Sequence, residues 1–101
     1  MVKFVAVKYW DTAPLTLSFE GVCGAQAVEV EDLCTVYRVD ERVSEFVRRA
    51  SECEHVQEVF IVCCEYCERN DAEIVRKHPV IPMTKQYLCC ECYEELSEVR
   101  E

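Results

Sequence analysis

Two sulfur pairs constrain this chain more than any other feature: Cys64-Glu-Tyr-Cys67 and, after a 21-residue insert, Cys89-Cys-Glu-Cys92. A C-x2-C pair spans one tight turn, which aims both sulfurs at the same point. Two such pairs supply four thiolates, the tetrahedral set that zinc takes in structural sites. The doubled cysteines leave the register open, because Cys63 and Cys90 adjoin the pairs as alternative ligands or disulfide partners. The x2 spacing selects Cys64, Cys67, Cys89 and Cys92. Neighbouring Cys63 and Cys64 point to opposite faces of a strand, so if one ligates, the other enters the core or a disulfide.

Whether spaced cysteines hold metal or form disulfides depends on the compartment. In MVKFVAVKYWD the apolar run is interrupted by Lys8 and Asp11 before a signal-peptide core is complete. No stretch approaches the roughly 18 apolar residues of a membrane span. The expectation is therefore a soluble, intracellular (cytoplasmic) chain with no membrane partner, in which metal ligation is favoured. One exception is raised by composition. Asn and Gln number only four while charged residues make up 31% of the chain, a thermophile tendency, and hyperthermophile interiors tolerate disulfides. The source expected on that ground is a thermophilic archaeon or its virus. Cys23 and Cys34 flank AVEVED and become disulfide partners if that segment doubles back. Nine cysteines is an odd number, so complete pairing within one chain needs a metal or a spare thiol.

The charge balance bears on partners. Twenty acids against 11 bases give a net charge of -9. Such a surface repels a phosphate backbone, so a protein partner is expected ahead of nucleic acid. Arg76, Lys77 and Lys85 nevertheless gather with His78 on one segment and are the candidate nucleic-acid contacts. A four-thiolate zinc centre carries two negative charges, and balancing those is the simpler role for them.

Element signals predict an α+β fold. VKFVAVKYW (2–10) reads as a strand with Phe4, Ala6 and Tyr9 placed by the pleat, and LTLSFEG (15–21) resumes period two with Leu15, Leu17 and Phe19 on one face. AVEVED alternates again. Asp40 is placed as the N-cap of an amphipathic helix, ERVSEFVRRASEC, whose stripe is Val43, Phe46, Val47, Ala50 and Cys53. Val56–Cys64 is the most apolar run and is expected at the centre of the sheet. AEIVRK and QYLC read as short strands around a proline-containing loop, HPVIPMTK. CECYEELSEVRE closes the chain as a helix with Tyr93, Leu96 and Val99 facing inward.

Turn, hairpin, then a helix carrying two cysteines in its first turn is an order that resembles the treble-clef zinc fingers, with zinc ribbons as near neighbours. The resemblance covers Val62 to about Arg100 and rests on four cysteines and an element order. It implies a zinc module with Cys64, Cys67, Cys89 and Cys92 as ligands. The expected organisation is an antiparallel sheet with one packed helix over residues 1–62 and a zinc-finger-like module over 63–101, forming one compact unit and sharing the Val56–Cys64 strand. Two further readings of the same thiols stand beside zinc. One is a rubredoxin-like iron or an iron–sulfur cluster, which uses the same donors; the other is a dithiol redox centre at CEYC. The thioredoxin-like version of the latter places too few residues between Cys67 and Pro82 for its crossover.

The remaining candidates carry little chemistry. His55 and His78 lie at no ligand spacing from the pairs, there is no glycine-rich phosphate loop, and carboxylates are too common to mark catalysis. Four sulfurs fill a tetrahedron, so no coordination position stays open for substrate and no enzyme is expected. The functional expectation is a small zinc-stabilised interaction or regulatory module with a protein partner, in which homo-oligomers are also allowed. The alternatives are a thiol redox or electron-transfer protein and a nucleic-acid-binding regulator.

Overall fold

The structure is a computed structural model and describes residues 2–14 and 16–99, the side chains of 97–99 excepted. Three expectations, the placements of Leu15 and the Val99 side chain and the boundary at Arg100, lie outside the described residues. The chain divides into two compact units, Met1–Ile61 and Val62–Glu101. The first holds strands β1 (Lys3–Tyr9), β2 (Gln26–Glu31) and β3 (Cys34–Val39), helix α1 (Val43–Ser51) and strand β4 (Val56–Ile61). The second holds β5 (Ile74–Lys77), β6 (Lys85–Leu88) and helix α2 (Cys90–Val99). The fold class is α+β, with a small antiparallel sheet and two helices.

The four-stranded sheet has the order β2-β3-β1-β4, every pair antiparallel. Val5 of β1 stands opposite Tyr37 of β3 on one side and Ile61 of β4 on the other. On β1, Val5, Val7 and Tyr9 face the main core, while Phe4 and Ala6, on the other pleat, are also buried. A strand buried on both faces needs a nearly continuous apolar run, and KFVAVKY supplies one with only Lys8 left exposed. Helix α1 lays Phe46 and Ala50 fully into this core, with Val43, Val47 and Cys53 half-buried beside them. Its outer side pairs Arg49 with Glu45 at 2.8 Å and Arg48 with Glu52 at 3.1 Å. Exposed pairs of this kind contribute about 0–1 kcal/mol, so apolar burial holds the helix in place.

Several sequence expectations are corrected here. LTLSFEG forms no strand. Within its described residues 16–21, Leu17 N–H donates to the Pro14 carbonyl, Phe19 N–H to the Tyr37 hydroxyl and Gly21 N–H to the Ala25 carbonyl, so these amides join no ladder. Phe19 is buried all the same, reaching the core from a loop that ends in a 3-10 turn at Val22–Gly24. The left-handed φ of +93° at Gly21 opens that turn. β4 is an edge strand that stops at Ile61 and does not run into Cys64; the central strands are β1 and β3. Asp40 is not the helix cap. It pairs with Arg38 at 2.9 Å, and α1 begins after Arg42 in a left-handed conformation, without a side-chain cap. The Cys23–Cys34 bridge is absent: both are free thiols, Cys23 packed in the core and Cys34 at the start of β3 opposite Lys8 and Glu31.

Tyr37 organises the buried centre of this unit. Its ring packs 5.4 Å from Phe46 and 6.3 Å from Phe19, centroid to centroid. Its hydroxyl accepts the Phe19 N–H at 3.0 Å and shares a 2.9 Å hydrogen bond with the Tyr9 hydroxyl. Burial, then the bond to Tyr37, pushes the Tyr9 phenol well above its usual pKa. Removing the Tyr37 oxygen takes the acceptor from the buried Phe19 N–H and a partner from the Tyr9 hydroxyl, whereas removing the Tyr9 oxygen leaves Tyr37 bonded to Phe19. Tyr37→Phe is therefore predicted to cost about 1–3 kcal/mol and Tyr9→Phe clearly less. Urea unfolding followed by fluorescence of Trp10, the only tryptophan, measures both; an equal or reversed ranking contradicts the assignment.

Candidate metal centre

The C-terminal unit is built around its cysteines. Cys64 sits where the chain leaves an isolated bridge between Cys63 and Asp71 and turns sharply. The turn closes on itself: Cys64 N–H donates to the Asn70 carbonyl at 2.8 Å, and Glu68 N–H donates to the Cys64 carbonyl at 2.9 Å. Glu68 takes a left-handed φ of +60°, a conformation that costs a residue with a Cβ about 1–2 kcal/mol. The β5–β6 hairpin follows, pairing Ile74 with Leu88 and Lys77 with Lys85. Glu65 N–H and Glu73 N–H donate to the carbonyls of Tyr87 and Leu88, tying the cysteine turn to the far strand of the hairpin. α2 begins immediately after Cys89 and places Cys92 in its first turn.

This arrangement brings the Sγ atoms of Cys64, Cys67, Cys89 and Cys92 within 4.8 Å of one another. A sulfur tetrahedron around an ion at bonds of about 2.3 Å has edges of roughly 3.8 Å. The Cys67–Cys89 separation is 4.0 Å, so a small contraction closes the set on one ion. Sulfurs in a disulfide lie about 2.05 Å apart, and all nine cysteines are free thiols. Cys64, Cys89 and Cys92 are buried and Cys67 is half-buried. The donors fit a soft or borderline metal bound by thiolates.

Backbone amides prepare the sulfurs for negative charge. Burial alone raises the Cys64 thiol, yet hydrogen bonds from the amides of Cys67, Cys89 and Tyr66 outweigh it and bring the pKa down to about 6. Cys67 is lowered by the amides of Arg69 and Asn70. Cys92 moves the other way, raised by burial and by sharing its proton with the sulfurs of Cys89, Cys64 and Cys67. Hydrogen bonding thus favours the thiolate form on the first pair, while burial and the neighbouring sulfurs disfavour it on Cys92. Two polar contacts complete it: Asn70 Nδ2 donates to Cys89 Sγ at 3.7 Å, and Cys92 N–H reaches the same sulfur at 3.5 Å.

The other candidate residues lie apart from this group. Cys63 and Cys90 are exposed. The Cys90 thiol is raised chiefly by the Glu94 carboxylate, which accepts from it at 3.7 Å. Arg76 donates Nε–H to Gln86 Oε1 at 2.9 Å and lies over the Tyr93 ring, while Lys77 and Lys85 face each other, exposed, across the hairpin. Two contributors escape a reading of cysteine spacing. Asn70, three residues past Cys67, contacts a sulfur. Glu73 accepts the first N–H of α2, from Cys90, at 3.4 Å. An acid seventeen residues before a helix carries no local signal of capping it.

Among the described residues, no helix is long and apolar enough to cross a membrane. Comparisons with protein-family models, with curated proteins and with solved structures find no match.

Proposed function

We propose that the chain is a small non-enzymatic interaction module whose C-terminal unit is stiffened by one zinc ion held by Cys64, Cys67, Cys89 and Cys92. The observation that carries this is the convergence of four sulfurs from two segments 21 residues apart. The order of cysteine turn, β5–β6 hairpin and α2 with Cys92 in its first turn supports a treble-clef-like reading of the unit. A full set of four thiolates leaves a tetrahedral ion no free position for water or substrate, which favours a structural over a catalytic role. Zinc bound to such a set contributes on the order of 10 kcal/mol to folding. The net charge of -9 favours a protein partner over nucleic acid.

Native mass spectrometry of the reduced full-length protein tests the proposal. One zinc per chain is expected. Cys64→Ser, Cys67→Ser, Cys89→Ser and Cys92→Ser are each expected to weaken zinc retention at least tenfold against a competing chelator, while Cys63→Ser and Cys90→Ser leave it unchanged. A protein isolated with iron and visible colour supports the electron-transfer reading instead, and thiols that cycle between reduced and oxidised without metal support the redox one.

A further inference from the structure

The loop joining β5 and β6 presents apolar side chains to solvent. Val80 is 81% exposed, Ile81 51% and Met83 fully exposed. The display is held in place. His78 Nδ1 accepts the N–H groups of Val80 and Ile81 at 3.2 and 3.1 Å, and His78 N–H donates to the Thr84 carbonyl at 2.8 Å. Pro79 and Pro82 stiffen the loop, and Met83 sits at a left-handed φ of +59°. Strain and ordering spent on exposing a methionine contribute nothing to the unit's own core. Behind the tip, Lys77 and Lys85 stand directly opposite each other, a like-charge pair that weakens a ladder. Residues 74–88 carry Arg76, Lys77 and Lys85 and no acid, within a chain of net charge -9. The tip is thus an ordered apolar knob with a cationic collar.

A counterpart of matching chemistry lies on the N-terminal unit. A groove of about 320 Å3 is lined by Leu17, Val30 and Leu33 together with the acids Asp11, Glu31 and Asp32. Val30 and Leu33 are 71% and 48% exposed, so the apolar surface is open to an incoming group. That volume is at the small end of sites that seat ligands of about 300–1,000 Å3 and suits the ends of a few aliphatic side chains. We propose that the β5–β6 tip of one copy seats in this acid-rimmed groove of a second copy, with Lys77 and Lys85 meeting Glu31 and Asp32. A nucleic acid would satisfy the collar but offers no apolar recess for Val80, Ile81 and Met83. The groove supplies both. If each copy offers its tip to the other, the contact closes as a two-fold dimer; one-way seating builds open chains. This association goes beyond the metal reading, and measuring bound metal on the same samples keeps the two separable.

Sedimentation velocity of the reduced, zinc-supplemented full-length protein tests it, at physiological salt and up to concentrations on the order of 1 mM, because a contact this small binds weakly. The average mass is expected to rise with concentration. Ile81→Glu with Met83→Glu should weaken the association at least tenfold. So should Lys77→Glu with Lys85→Glu, and separately Glu31→Lys with Asp32→Lys. Mixing the last two double variants restores opposite charges at every tip and groove, and association is expected to return in the mixture alone. All six positions are exposed, and circular dichroism with metal content checks that each variant is folded. A monomer at every concentration, an association indifferent to these substitutions, or a mixture that stays monomeric overturns the proposal. Binding of a monomeric chain to phosphatidylserine vesicles through the same tip also overturns it, assigning the apolar residues to a membrane surface.

Discussion

Four sulfurs converging on one point are what the C-terminal unit has in place of a hydrophobic core. The unit runs from Val62 to Glu101. The buried cluster around the thiols consists of Cys64, Leu88, Cys89 and Cys92, with Cys67, Tyr93 and Leu96 packed against it. Below roughly 40 residues, apolar burial seldom offsets chain entropy unless a cross-link or metal assists. Here the residues that would be the core are themselves the candidate ligands. Burying four thiols without metal crowds ionisable groups together; an ion converts that cost into cohesion.

The N-terminal unit solves the same problem by ordinary means. Its sheet and α1 enclose Val5, Val7, Tyr9, Phe19, Tyr37, Val39, Phe46 and Ala50, and the polar atoms inside are matched to one another through Tyr37. No metal is needed to account for it. One chain thus combines a unit held by apolar packing with a unit gathered around four converging thiols, and on the proposed reading only the second responds to a chelator.

How legible this was depended on how local each signal is. The cysteine group is set by two x2 turns, and α1 by a stripe of Val43, Phe46, Val47 and Ala50; both are written within a few residues of chain. The sheet is not. CTVYRV, which forms the central strand β3, is rich in β-branched and aromatic residues, but six residues carry no sign of which neighbours they pair with. LTLSFEG alternates well, yet in its described part the amides of Leu17, Phe19 and Gly21 go to the Pro14 carbonyl, the Tyr37 hydroxyl and the Ala25 carbonyl rather than to a neighbouring strand. VQEVFI is apolar enough for a central strand, yet its position is decided by which partners β1 accepts. Edge or centre is a property of the whole sheet. The left-handed residues Glu68 and Met83 were equally hidden, since neither is a glycine or an asparagine.

The most direct measurement of the central claim is X-ray absorption spectroscopy at the metal edge of the purified, reduced protein. The account requires a single shell of four sulfurs at about 2.3 Å, with no oxygen or nitrogen neighbour. A mixed shell, fewer than four sulfurs, or no bound metal at all would contradict it.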